Sequence, residues 1–129
     1  MSTGGDTGWP DLLLNKVREI RDPVEITQVV THLLDALGAL LVAVITGAEY
    51  VDTVEAWARG DSSPDPAQEQ TLRIAWEVVQ LLTDVDSAET VRAWFNGMSP
   101  ELDDAAPALL LRADPERVLR AARYFRVVG

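Results

Sequence analysis

The sequence predicts an all-α fold of about six to eight short helices. Three observations carry that expectation. Apolar residues recur at three-and-four spacing through residues 24–37 and 67–82, which stacks them on one face of a helix. Glycine and proline fall between the periodic stretches, at Gly38, Gly47, Gly60, Pro64, Pro66, Gly97 and Pro100, where helices end or begin. No segment sustains the alternation of a half-buried strand. The closing run Tyr124-Phe125-Arg126-Val127-Val128 is strand-like in composition, but it continues the helical spacing before it and is read as helix.

Residues 1–10 read as a tail, with Gly4, Gly5 and Gly8 ahead of Trp9-Pro10. Trp9 is either an isolated anchor or an exposed side chain. Residues 12–20 form a possible short helix, with Leu13, Val17 and Ile20 near one face, and Pro23 interrupts it or opens the next. In residues 24–37 the apolar face is Ile26, Val29, Val30, Leu33, Leu34 and Leu37. Gly38 permits a sharp change of direction. Residues 40–45 form a second helix ended by Gly47, and residues 51–58 a third, with Val51, Val54, Trp57 and Ala58 clustered ahead of Gly60.

The run 60–66 is the clearest loop. It separates a 24–63 subdomain from a 64–129 subdomain. After it, Leu72, Ala75, Trp76, Val79 and Leu82 mark the strongest helix, over 67–82. Ser87 is an N-cap for residues 88–95, which Gly97 closes. Residues 98–104 read as a loop that Pro100 helps fix, and 109–111 as a short turn or helix. Asp114-Pro115-Glu116 supplies a cap, a first helical position and an acidic first turn for a last helix over 115–127. Trp57, Trp76 and Trp94 are expected in the core.

The 21 acidic residues outnumber the 11 basic ones, so the formal charge of -10 repels nucleic acids and anionic membranes on average. There is no cysteine, which excludes disulfides, thiolate zinc sites, cysteine nucleophiles and iron–sulfur clusters. A single histidine, His32, argues against a multi-histidine metal centre. Asp61 with Asp65, Asp84 with Asp86, and Asp103 with Asp104 lack the ligand spacing of a calcium loop and read as solvated loop carboxylates. Thr31 and His32 are neighbours on different helix faces, and a His32–Asp35 contact would cap or solubilise a helix. No phosphate loop or dinucleotide fingerprint occurs. The expectation is no enzyme, no cofactor and no metal site.

The N-terminus lacks the basic end and apolar core of a signal peptide. The most apolar stretch, 33–51, is broken by Asp35, Gly38, Thr46, Gly47 and Glu49. Neither a membrane span nor a membrane partner is expected, and cytoplasmic residence is the default.

Residues 40–60 have the layout of a helix-turn-helix, in which small residues such as Ala43 and Gly47 let two short helices approach. The second helix would read DNA, yet it displays Glu49, Asp52, Thr53 and Glu55, with Arg59 at its far end. Thr53 and Arg59 are the candidate DNA contacts. Three readings stand at this point: an acidic solvent face, a scaffold kept for protein contact, and DNA recognition. The carboxylates disfavour the last, although a dimer could present a basic rim.

A resemblance emerges when the two halves are joined. The segment 37–47, LGALLVAVITG, followed by Val54-Glu55-Ala56-Trp57-Ala58-Arg59-Gly60, resembles the front half of Xre/MbcA/ParS-type antitoxins. The helix through Trp76, then Thr90-Val91-Arg92-Ala93-Trp94-Phe95-Asn96-Gly97-Met98-Ser99-Pro100-Glu101-Leu102, is similar to the toxin-binding domain of that family, and Ala106-Pro107-Ala108-Leu109-Leu110-Leu111 to its proline-containing turn. The resemblance implies a bacterial, non-enzymatic antitoxin. Its partner would be a toxin, often a RES-domain enzyme that consumes NAD⁺. The C-terminal end would block the toxin's cleft, and the helix-turn-helix half would bind operon DNA. A homodimer is expected. Two departures stand out: the acidic second helix, and residues 120–128, which replace a small glycine-containing ending. Alternative readings are a DNA-binding autoregulator and a phage or prophage adaptor that binds a host protein.

Arg117, Arg120, Arg123 and Arg126 recur every three residues, so neighbouring pairs share a side of the last helix. They form either a favourable cationic helix end over a solvated face or a partner-binding surface. The candidate surface is Trp94, Asn96, Met98 and Leu102 together with Arg117, Arg120, Arg123, Tyr124 and Arg126.

Overall fold

The computed structural model describes residues 24–128, which form seven α-helices and one 3-10 turn. The expected fold class holds. The possible helix over 12–20 and the anchor Trp9 lie outside the described residues.

Helix α1, Ile26–Leu37, turns Val29, Val30, Leu33 and Leu37 inward. The chain then bends by 119° at Gly38 into α2, Ala39–Thr46. Gly38 has φ 87° and ψ 154°, a conformation that is essentially confined to glycine. Its N–H bonds the Leu34 carbonyl at 2.9 Å, so one residue both closes α1 and redirects the chain. Helix α2 buries Leu41, Val42, Ala43 and Ile45 and ends on left-handed Gly47. A short connection leads to α3, Val51–Arg59, which buries Val54 and Trp57.

Helix α4, Pro66–Thr83, is the longest described helix. Its start is a reciprocal capping box: Asp65 Oδ1 accepts from the Gln68 N–H at 2.7 Å, and Gln68 Oε1 accepts from the Asp65 N–H at 3.0 Å. Helix α5, Ala88–Asn96, begins at Ser87, whose hydroxyl accepts from the Thr90 N–H at 3.2 Å. Gly97 closes α5 with an extended backbone, φ −87°, and not with a left-handed turn.

The 98–104 segment is more ordered than a plain loop. It contains the 3-10 turn Pro100–Leu102 and an isolated bridge between Ser99 and Ala105. Asp103 and Asp104 both take positive φ, 56° and 65°, a region that short carboxylate side chains tolerate better than most. A single turn of helix, α6, Pro107–Leu110, is followed by the 14-residue α7, Pro115–Val128, which Asp114 caps weakly at 3.4 Å.

Helix α1 packs against α2, α3, α4 and α5, while α7 lies along α4. The buried apolar side chains form one cluster that runs from Val29 to Ala122 across both halves of the chain. The loop 60–66 therefore divides the sequence without dividing the core. Of the three tryptophans expected inside, Trp57 is 3% exposed and fully part of the core. Trp76 and Trp94 are only partly buried and pack against its edge.

Arginines fasten the layers. Arg92 Nη1 donates to the Ala36 carbonyl at 2.9 Å, and Arg126 Nη1 to the Leu81 carbonyl at 3.2 Å. Both carbonyls lie in the last turn of a helix, where a cation complements the unsatisfied C=O groups. Arg73 Nη1 donates to the Val24 carbonyl at 2.7 Å and holds the entry to α1 against α4.

Candidate functional site

The end of α5, the 98–101 turn and the last turns of α7 enclose a groove of about 300 Å³. Thr90, Ala93, Trp94, Met98, Pro100 and Phe125 line it. Helix α5 places Trp94 on its outer edge because Val91 and Phe95 take the inward positions. The Trp94 ring meets Phe95 edge-on at 5.3 Å and 82°, and tilts over Phe125 at 6.2 Å and 51°. Phe125 continues the inner stripe of α7, Val118, Ala121 and Ala122, past the point where the core ends. The extended backbone at Gly97 then carries Met98 outward, where its side chain is 78% exposed.

The structure brings together Trp94 and Met98 from the expected surface, and adds Phe125, Thr90, Ala93 and Pro100. Tyr124 points elsewhere. It lines a shallow recess with Glu101, Arg117, Arg120 and Ala121, and Glu101 borders both hollows. Asn96 is exposed, with Nδ2 folded back to donate to the Arg92 carbonyl at 3.1 Å. Leu102 is a correction. It is 1% exposed and belongs to the core, where it closes the 3-10 turn Pro100–Leu102.

The arginine row is also largely committed within the chain. Arg117 pairs with Asp103 at 2.6 Å, Arg123 with Glu77 at 3.6 Å and Arg126 with Asp84 at 2.6 Å. Arg120 alone of the four makes no ion pair with the described residues. Arg123 and Arg126 therefore hold α7 along α4, and the sequence spacing reflects that seam at least as much as any outward surface. Local spacing gives no signal for these partners: Asp103 lies 14 positions from Arg117, and Asp84 lies 42 from Arg126. The groove did leave one signal, in Phe125 standing at inner-face spacing beyond Ala121 and Ala122.

At the α3 end, Thr53 is half-buried. Arg59 Nε donates to Asp61 Oδ2 at 2.8 Å. That hydrogen bond raises the guanidinium's pKa, and the charges of Asp61, Glu55 and Asp52 add to the rise. Asp52 and Glu55 are exposed beside it. A phosphate approaching Arg59 would meet these carboxylates first.

His32 is exposed and stacks on Trp76, with centroids 5.0 Å apart and ring planes within 13°. The stack explains its place on α1 without Asp35. Asp103, one of the acidic loop pairs, is occupied by Arg117. Among the described residues no three His, Cys, Asp or Glu side chains are grouped to hold a metal ion. No single described helix is long and apolar enough to cross a membrane.

No family model, curated protein or solved structure matches the chain. The likeness to antitoxins therefore rests on the residue pattern alone.

Proposed function

We propose that this chain is a non-enzymatic binding module of antitoxin type, which neutralises a partner toxin by covering its working surface. One observation carries the reading: an apolar, aromatic-lined groove has on its rim a methionine that is 78% exposed. Aromatic walls give a partner side chain a rigid, desolvated seat, and a flexible thioether adapts to whatever enters. Covering Met98 would contribute about 1.5–3 kcal/mol of apolar burial. The charge of -10 adds a preference for a partner with a basic rim.

The resemblance in residues 37–60 and 90–111 supplies the class of partner: a cognate protein toxin, with a RES-domain NAD⁺-consuming enzyme foremost. A cytoplasmic site of action and no cofactor go with this reading. Co-expression with the product of a neighbouring toxin-like reading frame tests it. The expected result is restored growth and a complex that survives purification. Failure both to restore growth and to form a complex would remove the proposal for that pair. A phage or prophage adaptor would use the same groove, and rescue from the toxin separates the two.

A DNA-binding autoregulator is the weaker reading. The short connection between α2 and α3 favours it, and the engaged Arg59 opposes it. Titration of the upstream promoter fragment at low and physiological salt should give no specific shift. A specific shift would restore the autoregulator reading.

A further inference from the structure

We propose that the hollow between the end of α2 and the start of α4 binds a small zwitterion with an aliphatic body, of the size and chemistry of a free aliphatic amino acid. The hollow has a volume of about 380 Å³, which lies in the range of small-molecule sites. The end of α2, the first turns of α4, the residues after α6 and the start of α7 converge on it. It shares no lining residue with the groove at Trp94, so nothing in it depends on the antitoxin reading.

Its cation is Arg112. Left-handed Gly47 has no Cβ, and the Arg112 guanidinium lies in the space that a Cβ would need. Arg59, Arg73, Arg117, Arg123 and Arg126 each pair with a carboxylate, and Arg92 donates to a carbonyl. Arg120 shares its recess with Glu101. Arg112 makes no ion pair with the described residues, in a chain of 21 acidic and 11 basic residues. The anion of the hollow is Asp65, which lines the same space without pairing with Arg112. Its Oδ1 accepts from the Gln68 N–H, which leaves Oδ2 open. Gln68 uses Oε1 on the Asp65 N–H, which leaves its amide nitrogen to donate. Thr71 donates its hydroxyl proton to the Ala67 carbonyl and keeps its lone pairs to accept.

Charge selects the ligand. A plain anion would meet Asp65, and a plain cation would meet Arg112. A zwitterion satisfies both. Its carboxylate takes the guanidinium fork, with the Gln68 amide as a further donor, and its ammonium faces Asp65, with Thr71 as a second acceptor. Ile74 and Pro115, both half-buried, give the aliphatic body an apolar wall.

Titration of the full chain with L-leucine, followed by amide NMR and calorimetry, tests the site. Saturable shifts at Gly47, Gln68 and Arg112 are expected, with a dissociation constant on the order of 1 mM or tighter. Isocaproate lacks the amine and isoamylamine lacks the carboxylate, so each should bind about tenfold more weakly than leucine. Arg112→Gln and Asp65→Asn should each weaken leucine binding about tenfold. Both variants should fold, because Arg112 is exposed and asparagine caps a helix as well as aspartate does. Met98→Glu should leave leucine affinity unchanged. The absence of a saturable shift up to the solubility limit of leucine would overturn the proposal. So would isocaproate or inorganic phosphate binding as tightly as leucine, or a leucine affinity that neither Arg112→Gln nor Asp65→Asn reduces.

Discussion

Gly38 and Gly47 bracket α2, and each excludes a side chain for a different reason. A Cβ at Gly38 would meet nothing within 4 Å, so space is not the constraint there. The constraint is the backbone, at φ 87° and ψ 154°. Gly38→Ala should therefore lower stability by about 1–3 kcal/mol in urea denaturation, from backbone strain alone. At Gly47 the φ of 74° is joined by a steric conflict, because a Cβ would collide with the Arg112 guanidinium. Arg112 is exposed and its far end is flexible. Gly47→Ala should cost about 1–2 kcal/mol, and adding Arg112→Ala should recover the steric part while the left-handed backbone cost persists. Full recovery in the double variant would contradict that division. The sequence announces a turn at both glycines, since nothing else between apolar runs supplies the freedom. It gives no sign of Arg92, which reaches the Ala36 carbonyl across 56 positions of chain. Such contacts depend on how helices pack, and local spacing does not encode that.

Helix boundaries were the most legible elements because their chemistry is local. Ser87 and Asp114 act as the caps that their positions predict. The start of α4 goes further, for Asp65 and Gln68 complete a capping box around Pro66. Asp65→Ala should cost about 1 kcal/mol in thermal or urea unfolding, since it exposes orphan N–H groups in the first turn. An unchanged midpoint would show that the box contributes nothing to α4. Helix α7 was legible as a helix and illegible in its role. Its arginines show a period, but Glu77, Asp84 and Asp103 decide where they point. The Arg126–Asp84 pair is 37% and 61% exposed at its two side chains, so it contributes at most about 1 kcal/mol and fixes position more than stability. The same logic explains Leu102. A tight 3-10 turn rotates it into the core, and a run rich in proline and aspartate does not reveal which of its members faces inward.

The molecule as a whole has one core shared by both halves, with α1 bridging α3 on one side and α4 and α5 on the other. Two halves with a common core lose their packing together. Urea unfolding should therefore show one transition, with tryptophan fluorescence and far-UV circular dichroism coincident. Separate transitions would mean that the loop 60–66 joins two independently stable units. The fold class was readable because helical periodicity survives in a single sequence. The groove was readable in part, through Trp94 and Met98, while its far wall at Phe125 comes from a helix about thirty residues away that only packing brings near. The most direct test of the proposed role is the affinity of the cognate toxin for wild type and for Met98→Glu, read by calorimetry on the intact chain. Tight binding to wild type, weakened at least tenfold by a carboxylate in an apolar groove, is the result predicted. Equal affinity for both proteins, with the fold unchanged, would contradict it.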